Sequence, residues 1–472
     1  MSATRTDMPA ALPRSNGTGA KTTEDRLSFL VVLYLICVVL PITVHLGSVV
    51  LTTLRMLLLV VSVPMLVSLL LGRYGRTIPT DWLFLGHALW LTAALALNNP
   101  DRVVQQAPSV GVEFLGGYVV ARACIRSRAQ FVAMCRVLML IVLALVPFAL
   151  LETQTGAPAL LKAIRALPGV TSVELVYADK RLGLERVQSV FAHPIHHGLF
   201  CSVVFSLVSV GLWGQMARTK HILLSGILAL MTFLALSSGA LLALALQFGL
   251  IAWSLLFRRV EARWRILVAT FVALWILVDI LSNRGPIQVF MSYATFSAHT
   301  AYWRSIIFEW GVMNVFGSAE HGIPSAFFFG IGLNEWIRPA YMHSGSMDNF
   351  WLVMAVRYGF PGFLLIALGF AVQVTKLMRL RLAPGHPSLM LRRACVFTFL
   401  GLSFTLATVH VWSNIFSFVI FFIGATAWMV QPGAMEEDTP APSEPGGRRV
   451  PSYSRFAPRG GRAPAPYRRA PQ

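Results

Sequence analysis

The sequence predicts an all-α integral membrane protein with about twelve transmembrane helices and a large outward cap loop between spans nine and ten. Three observations lead there. Hydrophobic residues make up 56% of the 472 positions and charged residues only 12%, about half the roughly 25% charged share of a soluble domain; mean hydropathy is +0.67. The apolar residues come in runs long enough to cross ~30 Å of hydrocarbon. Lys and Arg gather in alternate connections, as they do on the inner side of a membrane. No soluble core could hide this much apolar surface, so a bilayer must be its solvent. The same composition excludes disordered, collagen-like and disulfide-scaffold chains. Cys37, Cys124, Cys135, Cys201 and Cys395 are scattered without metal-ligand spacing and imply no disulfide framework.

In order along the chain, residues 1–26 are polar, lack the layout of a cleaved signal and are expected to form a disordered cytoplasmic N-terminus. Residues 27–432 form the membrane domain. Its spans are expected at Leu27–Leu46, Val49–Leu71, Trp82–Leu97, Pro108–Ala121, Phe131–Leu151, Ser189–Trp213, Ile222–Leu236, Ala240–Phe257, Ile266–Leu281, Phe350–Val374, Ala394–Val411 and Ile415–Val430. With the N-terminus inside, sixteen cationic residues fall in cytoplasmic connections. These are Arg73 and Arg76; Arg122, Arg126 and Arg128; Arg218 and Lys220; Arg258, Arg259, Arg263 and Arg265; and Lys376, Arg379, Arg381, Arg392 and Arg393. The short outer loops hold only Arg102. This bias also supports the short fourth span, which carries Glu113, because without it the Arg122–Arg128 cluster would lie outside. Arg357 falls inside span ten, where a charge is costly unless paired; Glu113 or Asp279 is the expected partner.

Two long connections face outward, 152–188 and 283–349, and long ordered loops in compact proteins are commonly functional. The second holds Trp303, Trp310 and Trp336 and is expected to fold as a cap. The tail, 433–472, has eight Pro and seven Arg and is expected to be disordered and cytoplasmic, solvated or touching anionic lipid. The net charge of +19 therefore sits in loops and tail, and no nucleic-acid partner is expected.

Polar residues concentrate where the two outward loops meet the membrane. The first loop ends in Arg181-Leu-Gly-Leu-Glu185-Arg186, followed by Val-Gln188-Ser189-Val-Phe-Ala-His193-Pro194 and then His196 and His197. The second carries Tyr302-Trp303-Arg304, Glu335-Trp336-Ile-Arg338 and Tyr341-Met-His343-Ser-Gly-Ser-Met-Asp348-Asn349. Guanidinium forks at membrane level suit a diphosphate. A nearby His or carboxylate can take the proton of an attacking hydroxyl, and polar-edged aromatics suit sugar faces. His193, His196 and His197 have no carboxylates at metal-ligand spacing, so hydrogen bonding at a cleft floor is expected of them, with no metal and no cofactor.

The order and spacing of these pieces resemble the O-antigen ligase and O-antigen polymerase superfamily of bacterial membrane glycosyltransferases. Arg186-Val-Gln-Ser-Val-Phe-Ala-His193-Pro194 resembles that family's Arg-x-x-Gly-x-Phe-x-His-Pro stretch. Arg304 resembles its large-loop arginine, and Phe329-Gly-Ile-Gly-Leu its Pro-Leu-x-Gly-x-Gly segment. Asp348-Asn349-Phe-Trp-Leu, running on to Gly359-Phe-Pro-Gly362, resembles its His-Asn-x-x-Leu…Gly-x-x-Gly segment. The resemblance covers roughly residues 185–365. Asp348 stands where the family has His, the nearest His being His343. Arg357 stands where Glu is frequent, and Ser237-Ser238-Gly239 lacks an Arg often found there.

The resemblance implies a metal-independent glycosyltransferase in the inner membrane, with both termini cytoplasmic. It would polymerise polyprenyl-diphosphate-linked oligosaccharide repeats at the periplasmic face. Membrane lipid and chain-length regulator proteins are the other candidate partners. His343, Asp348 and Arg304 are the candidate catalytic residues, with His343 preferred as base and Asp348 as orienter or helix cap. Arg186, Arg181, His193, Tyr302, Arg338 and Asn349 are the candidate substrate-binding residues, although Arg338 and Glu335 also read as loop-holding. A ligase using the same donor with another acceptor is the alternative. A transporter or flippase is the rival class: Gly72-Arg73-Tyr74-Gly75-Arg76 is like a major-facilitator signature, but Gly72 replaces its Asp.

The charge bias makes a topological prediction. A reporter fused after residue 320 should read as periplasmic and one after residue 385 as cytoplasmic; the reverse at either site would discard the topology and the active-site assignment together.

Overall fold

The computed structural model describes residues 26–431 other than 47–48, 178, 284, 287–288 and 290–297. The expected disordered N-terminus and the 433–472 tail lie outside the described residues, apart from Arg26. The fold is helical. Nine helices among the described residues are long and apolar enough to cross a membrane.

The first expected span is shorter than its apolar run. Ser28 caps α1 (Phe29–Val39), accepting from the Leu30 N–H at 3.3 Å. Pro41 and the β-branched Ile42-Thr43-Val44 then favour strand over helix. Strand β1 (Ile42–Leu46) pairs antiparallel with β2 (Val49–Thr52) and with β3 (Thr171–Ser172), giving the sheet order β2-β1-β3. With 11 residues, α1 is about 16 Å long, short of a full crossing. Thr52 caps α2 (Thr53–Leu70), so the second helix begins four residues later than its apolar run.

Helix α3 (Pro79–Asn98) follows a short connection. Helices α4 (Val103–Gly111) and α5 (Gly117–Cys124) are joined by a wide π-helical turn, Val112–Gly116, that carries Glu113. Next come α6 (Arg128–Thr155) and the short α7 (Ala159–Arg165). Helix α8 (Pro194–Ser206) continues through a π turn to Gly211 and is followed by α9 (Arg218–Leu234), α10 (Ser238–Leu256) and α11 (Arg263–Leu281). The expected cap contains α12 (Ala298–Phe316) and an ordered loop to Asn349. Last come α13 (Phe350–Arg379), α14 (Leu389–Leu406) and α15 (Ser413–Ala425), which ends in a 3-10 turn to Val430.

Burial sorts these helices. In the apolar windows of α8 and α15, 89% and 83% of residues are buried, so these two form the centre. In α11 none is buried. Most of its large apolar side chains are exposed, which calls for a lipid solvent.

Two buried ion pairs hold the bundle. Arg55 of α2 donates from Nε to Glu113 at 2.7 Å. Arg122 of α5 pairs with Asp81 of α3 at 3.3 Å, both side chains 1% exposed. It also donates to the carbonyls of Tyr74 (3.1 Å) and Arg76 (2.8 Å), and the Tyr118 hydroxyl donates to Asp81 at 2.5 Å. Arg122 is thus an interior residue, not a loop charge. Glu113 is taken by Arg55, so it is not the partner expected for Arg357, whose side chain is exposed.

That exposure comes from a break in α13. Gly359 has φ 75 and ψ 170, a region open essentially to glycine. The break frees backbone groups, and other segments pair with them. Val356 and Arg357 carbonyls accept from the N–H groups of Ile331 (2.8 Å) and Gly332 (2.9 Å), and the Phe360 N–H donates to Phe327 O at 2.7 Å. Trp90 Nε1 donates to Tyr358 O at 2.9 Å, and the Trp90 ring stacks on Phe329 with centroids 5.0 Å apart. A side chain on Gly359 would run into the Phe328 carbonyl.

Gly359→Ala should therefore lower stability by at least ~1–3 kcal/mol from the backbone conformation alone. Gly249→Ala, in open space within α10, should be neutral or stabilising by up to ~1 kcal/mol. Thermal unfolding of the purified variants in detergent checks this; equal melting temperatures would mean that the break is not required.

Candidate functional site

The site is built from the loop before α8, the start of α10, α12 and the start of α13. Glu152, in the last turn of α6 and 2% exposed, anchors the first loop. Its carboxylate accepts from the N–H of Gln188 at 2.7 Å and of Ser189 at 2.9 Å. Ser189 has φ 58 and stands where the resembling stretch carries Gly, the residue that takes this conformation without strain. Gln188 bridges the same loop, donating to Glu174 O (2.7 Å) and Phe191 O (2.8 Å) and accepting from the Val176 N–H (3.0 Å).

This clamp sets two arginines against the C-terminus of α9, whose carbonyl end favours cations. The Val187 N–H donates to Leu234 O at 3.0 Å. Arg186 Nε approaches Ala235 O at 3.5 Å and Arg181 Nη1 donates to Leu236 O at 2.7 Å. Beyond that end α10 begins, and Ser238 Oγ accepts from Arg304 Nη2 at 3.3 Å.

Arg304 is 6% exposed, and its Nε and Nη1 have no hydrogen-bond partner among the described residues. Burial pulls its pKa down, the Asp348 carboxylate opposes that shift, and the Arg181 cation adds to it. Arg186 is drawn down to about 10 by burial and then by Arg181, with Asp179 opposing. Burial likewise lowers Arg181, against Asp179. All three remain protonated near neutral pH. The result is a partly dehydrated cluster of three guanidiniums, which suits an anion with more than one charged oxygen.

The other expected residues divide. Asp348 is half-buried within the field of Arg304 and accepts from Ser346 Oγ at 3.2 Å. The cap of α13 is Asn349, whose Oδ1 accepts from the Leu352 N–H at 3.1 Å, so Asp348 is not the helix cap. His343 is exposed and is not brought into the cluster. Arg338 binds Glu335 at 3.0 Å and the Met342 carbonyl at 3.1 Å, closing its own loop. Tyr302 is exposed, with Trp303 at 5.9 Å and the Tyr341 hydroxyl within hydrogen-bonding reach.

His193 caps α8, its Nδ1 accepting from the Ile195 N–H at 3.1 Å. Burial, then Arg186 and Arg181, push its pKa down to about 4, so the ring is neutral at pH 7. Glu152, Ser238, His410 and Trp412 were not singled out from the sequence. Of these, Glu152 carried a signal, as a lone acid ending an apolar run. A cavity of about 830 Å³ opens between α11, α12, α13 and α14. Phe271, Trp275, Phe308, Trp351 and Phe404 line it, and Asn349 is among its few polar groups.

Comparison with protein-family models and with curated proteins finds no match. Among the described residues, no group of three or more His, Cys, Asp or Glu is placed to hold a metal ion.

The His193 shift predicts a pH dependence. Its folded pKa of about 4 lies below the ~6.5 of a free imidazole. Between those values the unfolded chain binds the extra proton, so stability falls as pH drops through that window. His193→Asn keeps a capping oxygen but cannot titrate. Its melting temperature should fall less from pH ~6.5 to ~4 than that of the wild type; parallel curves would show that His193 is not held neutral by the fold.

Proposed function

We propose that the chain is a metal-independent membrane glycosyltransferase of the type its motifs resemble. It polymerises polyprenyl-diphosphate-linked oligosaccharide repeats into O-antigen or exopolysaccharide at the periplasmic face of a bacterial inner membrane. This reading includes twelve spans with both termini cytoplasmic, α1 continued by β1, α4–α5 and α9 supplying the three beyond the nine long apolar helices, and the 283–349 segment as cap. The observation that carries it is Arg304: a buried cation, two of whose nitrogens have no hydrogen-bond partner among the described residues, beside Arg181 and in the same cluster as Arg186. A diphosphate supplies the oxygens and the charge this group lacks. The apolar cavity supports the same substrate, because Phe308 in its wall is one helical turn from Arg304, so a polyprenyl tail lying in it would bring the diphosphate towards the arginines.

In the proposed step an acceptor hydroxyl oxygen attacks the anomeric carbon of the donor sugar. The bond from that carbon to the diphosphate oxygen breaks, and polyprenyl diphosphate leaves with the electron pair, stabilised by the three guanidiniums. Asp348 takes the hydroxyl proton. It replaces His343 as the preferred base because it shares the field of Arg304 while His343 faces solvent.

A ligase differs only in its acceptor. The transporter reading draws on the broken helix α13, since half-helix ends line the substrate sites of many transporters. Here the backbone groups freed at the break bond to Phe327, Ile331, Gly332 and Trp90 rather than facing an open path, which disfavours that reading.

The test is purified protein with a lipid-linked repeat in excess chelator. Products longer than one repeat are expected, which also separates polymerase from ligase. Arg304→Lys, which keeps the charge but loses the fork, should lose roughly 10²-fold in turnover. Asp348→Asn should lose ~10²–10⁴-fold and His343→Ala should stay near wild type. Loss of activity in chelator, or full activity in Arg304→Ala, would overturn the mechanism.

A further inference from the structure

The turn between α14 and α15 brings one aromatic ring among three histidines. Trp412 is extended, with φ −141 and ψ 168, and Ser413 behind it takes φ 50, so the chain reverses sharply as α15 begins. The Trp412 ring lies 4.0 Å from that of His196, 5.9 Å from His410 and 6.1 Å from His193, centroid to centroid. Trp412 keeps 37% of its surface exposed, whereas His196 keeps 1%. His196 Nε2 and His410 Nδ1 are buried atoms without a hydrogen-bond partner among the described residues. His193 uses Nδ1 to cap α8, which in the neutral ring leaves Nε2–H to donate away from the helix.

An unpaired ring nitrogen at the edge of this turn favours a ligand that can pair with it. The chemistry narrows the ligand. A cation over the indole face would be repelled by Arg186 and Arg181, which lie within charge reach of His193. An anion is drawn to those two arginines themselves and away from the negative face of the indole ring. An interfacial anchoring tryptophan, common at membrane surfaces, needs no ring of histidines. A neutral ligand with an apolar face and hydroxyls around its edge meets these demands: its C–H face lies on the exposed part of Trp412, its hydroxyls reach the half-buried His193 and His410, and His196 backs the indole ring. A pyranose is such a ligand.

We propose that Trp412, His193, His196 and His410 form a subsite for a neutral pyranose residue of the glycan, beside the arginine cluster. It rests on the glycosyltransferase reading only for what the adjacent arginines bind; the sugar site itself stands on the ring geometry.

The test labels the intact protein in nanodiscs with 5-fluorotryptophan and assigns the Trp412 fluorine resonance as the one lost in Trp412→Phe. Methyl glycosides of glucose, galactose and N-acetylglucosamine are the probes, with glycerol and choline as controls. At least one glycoside should shift that resonance saturably and the controls should not. His410→Gln and His196→Gln should each weaken the response about tenfold; either variant suffices if the other fails to fold. No glycoside response, a response equal to that of glycerol, or one unaltered in the His variants overturns the proposal. Full polymerisation by Trp412→Ala overturns it while leaving the arginine assignment standing. A saturable sugar response in a protein that transfers no glycan overturns the glycosyltransferase reading alone.

Discussion

A helix broken among apolar neighbours must have its freed backbone groups paired by other parts of the protein, because lipid offers no partner. The outer architecture of this chain depends on how it meets that requirement at Gly359. The segment 327–332 supplies two N–H groups and one carbonyl, and Trp90 supplies an indole N–H. To reach the break, that segment must pass the end of α3, where Asn99 accepts from the Leu333 N–H at 2.8 Å and Asn98 donates to Phe329 O at 3.1 Å. The same packing fixes the start of α13: Asn349 caps it, and the Phe350 N–H donates to Val409 O at 3.1 Å. Asp348 and the Trp412 turn are thereby held at one level.

The arginines show how one residue type serves two purposes. Arg122 donates to Asp81 and to two carbonyls, and its charge is neutralised within the bundle. Arg55 is likewise matched by Glu113. Arg304 is almost as deeply buried, yet two of its nitrogens have no hydrogen-bond partner among the described residues and its neighbours include Arg181. Desolvated like charges repel more strongly than they would in water. The fold bears that cost through Glu152, Gln188 and the carbonyl end of α9, which together hold the cationic loop in place. The anion proposed for this cluster would relieve repulsion that is already built in, so little reorganisation would be needed on binding.

The reading of the site shifted where contacts outweigh proximity in the sequence. His343 and Asp348 lie five residues apart and both were candidates for the base. Only the fold shows that one faces solvent and the other sits beside Arg304. Arg338 was a binding candidate and closes a loop. His410 and Trp412 drew no notice, because a lone His and a lone Trp at the end of an apolar run look like interfacial residues until the turn brings them to His193 and His196.

Composition and apolar run length, by themselves, determined that this is a multi-pass helical membrane protein, since the transfer of apolar side chains into lipid is a sum over residues and does not depend on their arrangement. The sequence also located most helices, because a run of helix-forming apolar residues between loops leaves the backbone one way to satisfy itself. It could not show that Pro41 and the β-branched run after it would turn the end of the first apolar stretch into a strand paired with Val49–Thr52, because strand pairing is a non-local choice. Nor could it show which charges would be matched. Glu113 finds Arg55 across 58 residues and Asp81 finds Arg122 across 41, and two Arg304 nitrogens are left without a hydrogen-bond partner among the described residues. Pairing energy depends on distance and burial in three dimensions, and only the tertiary structure sets those.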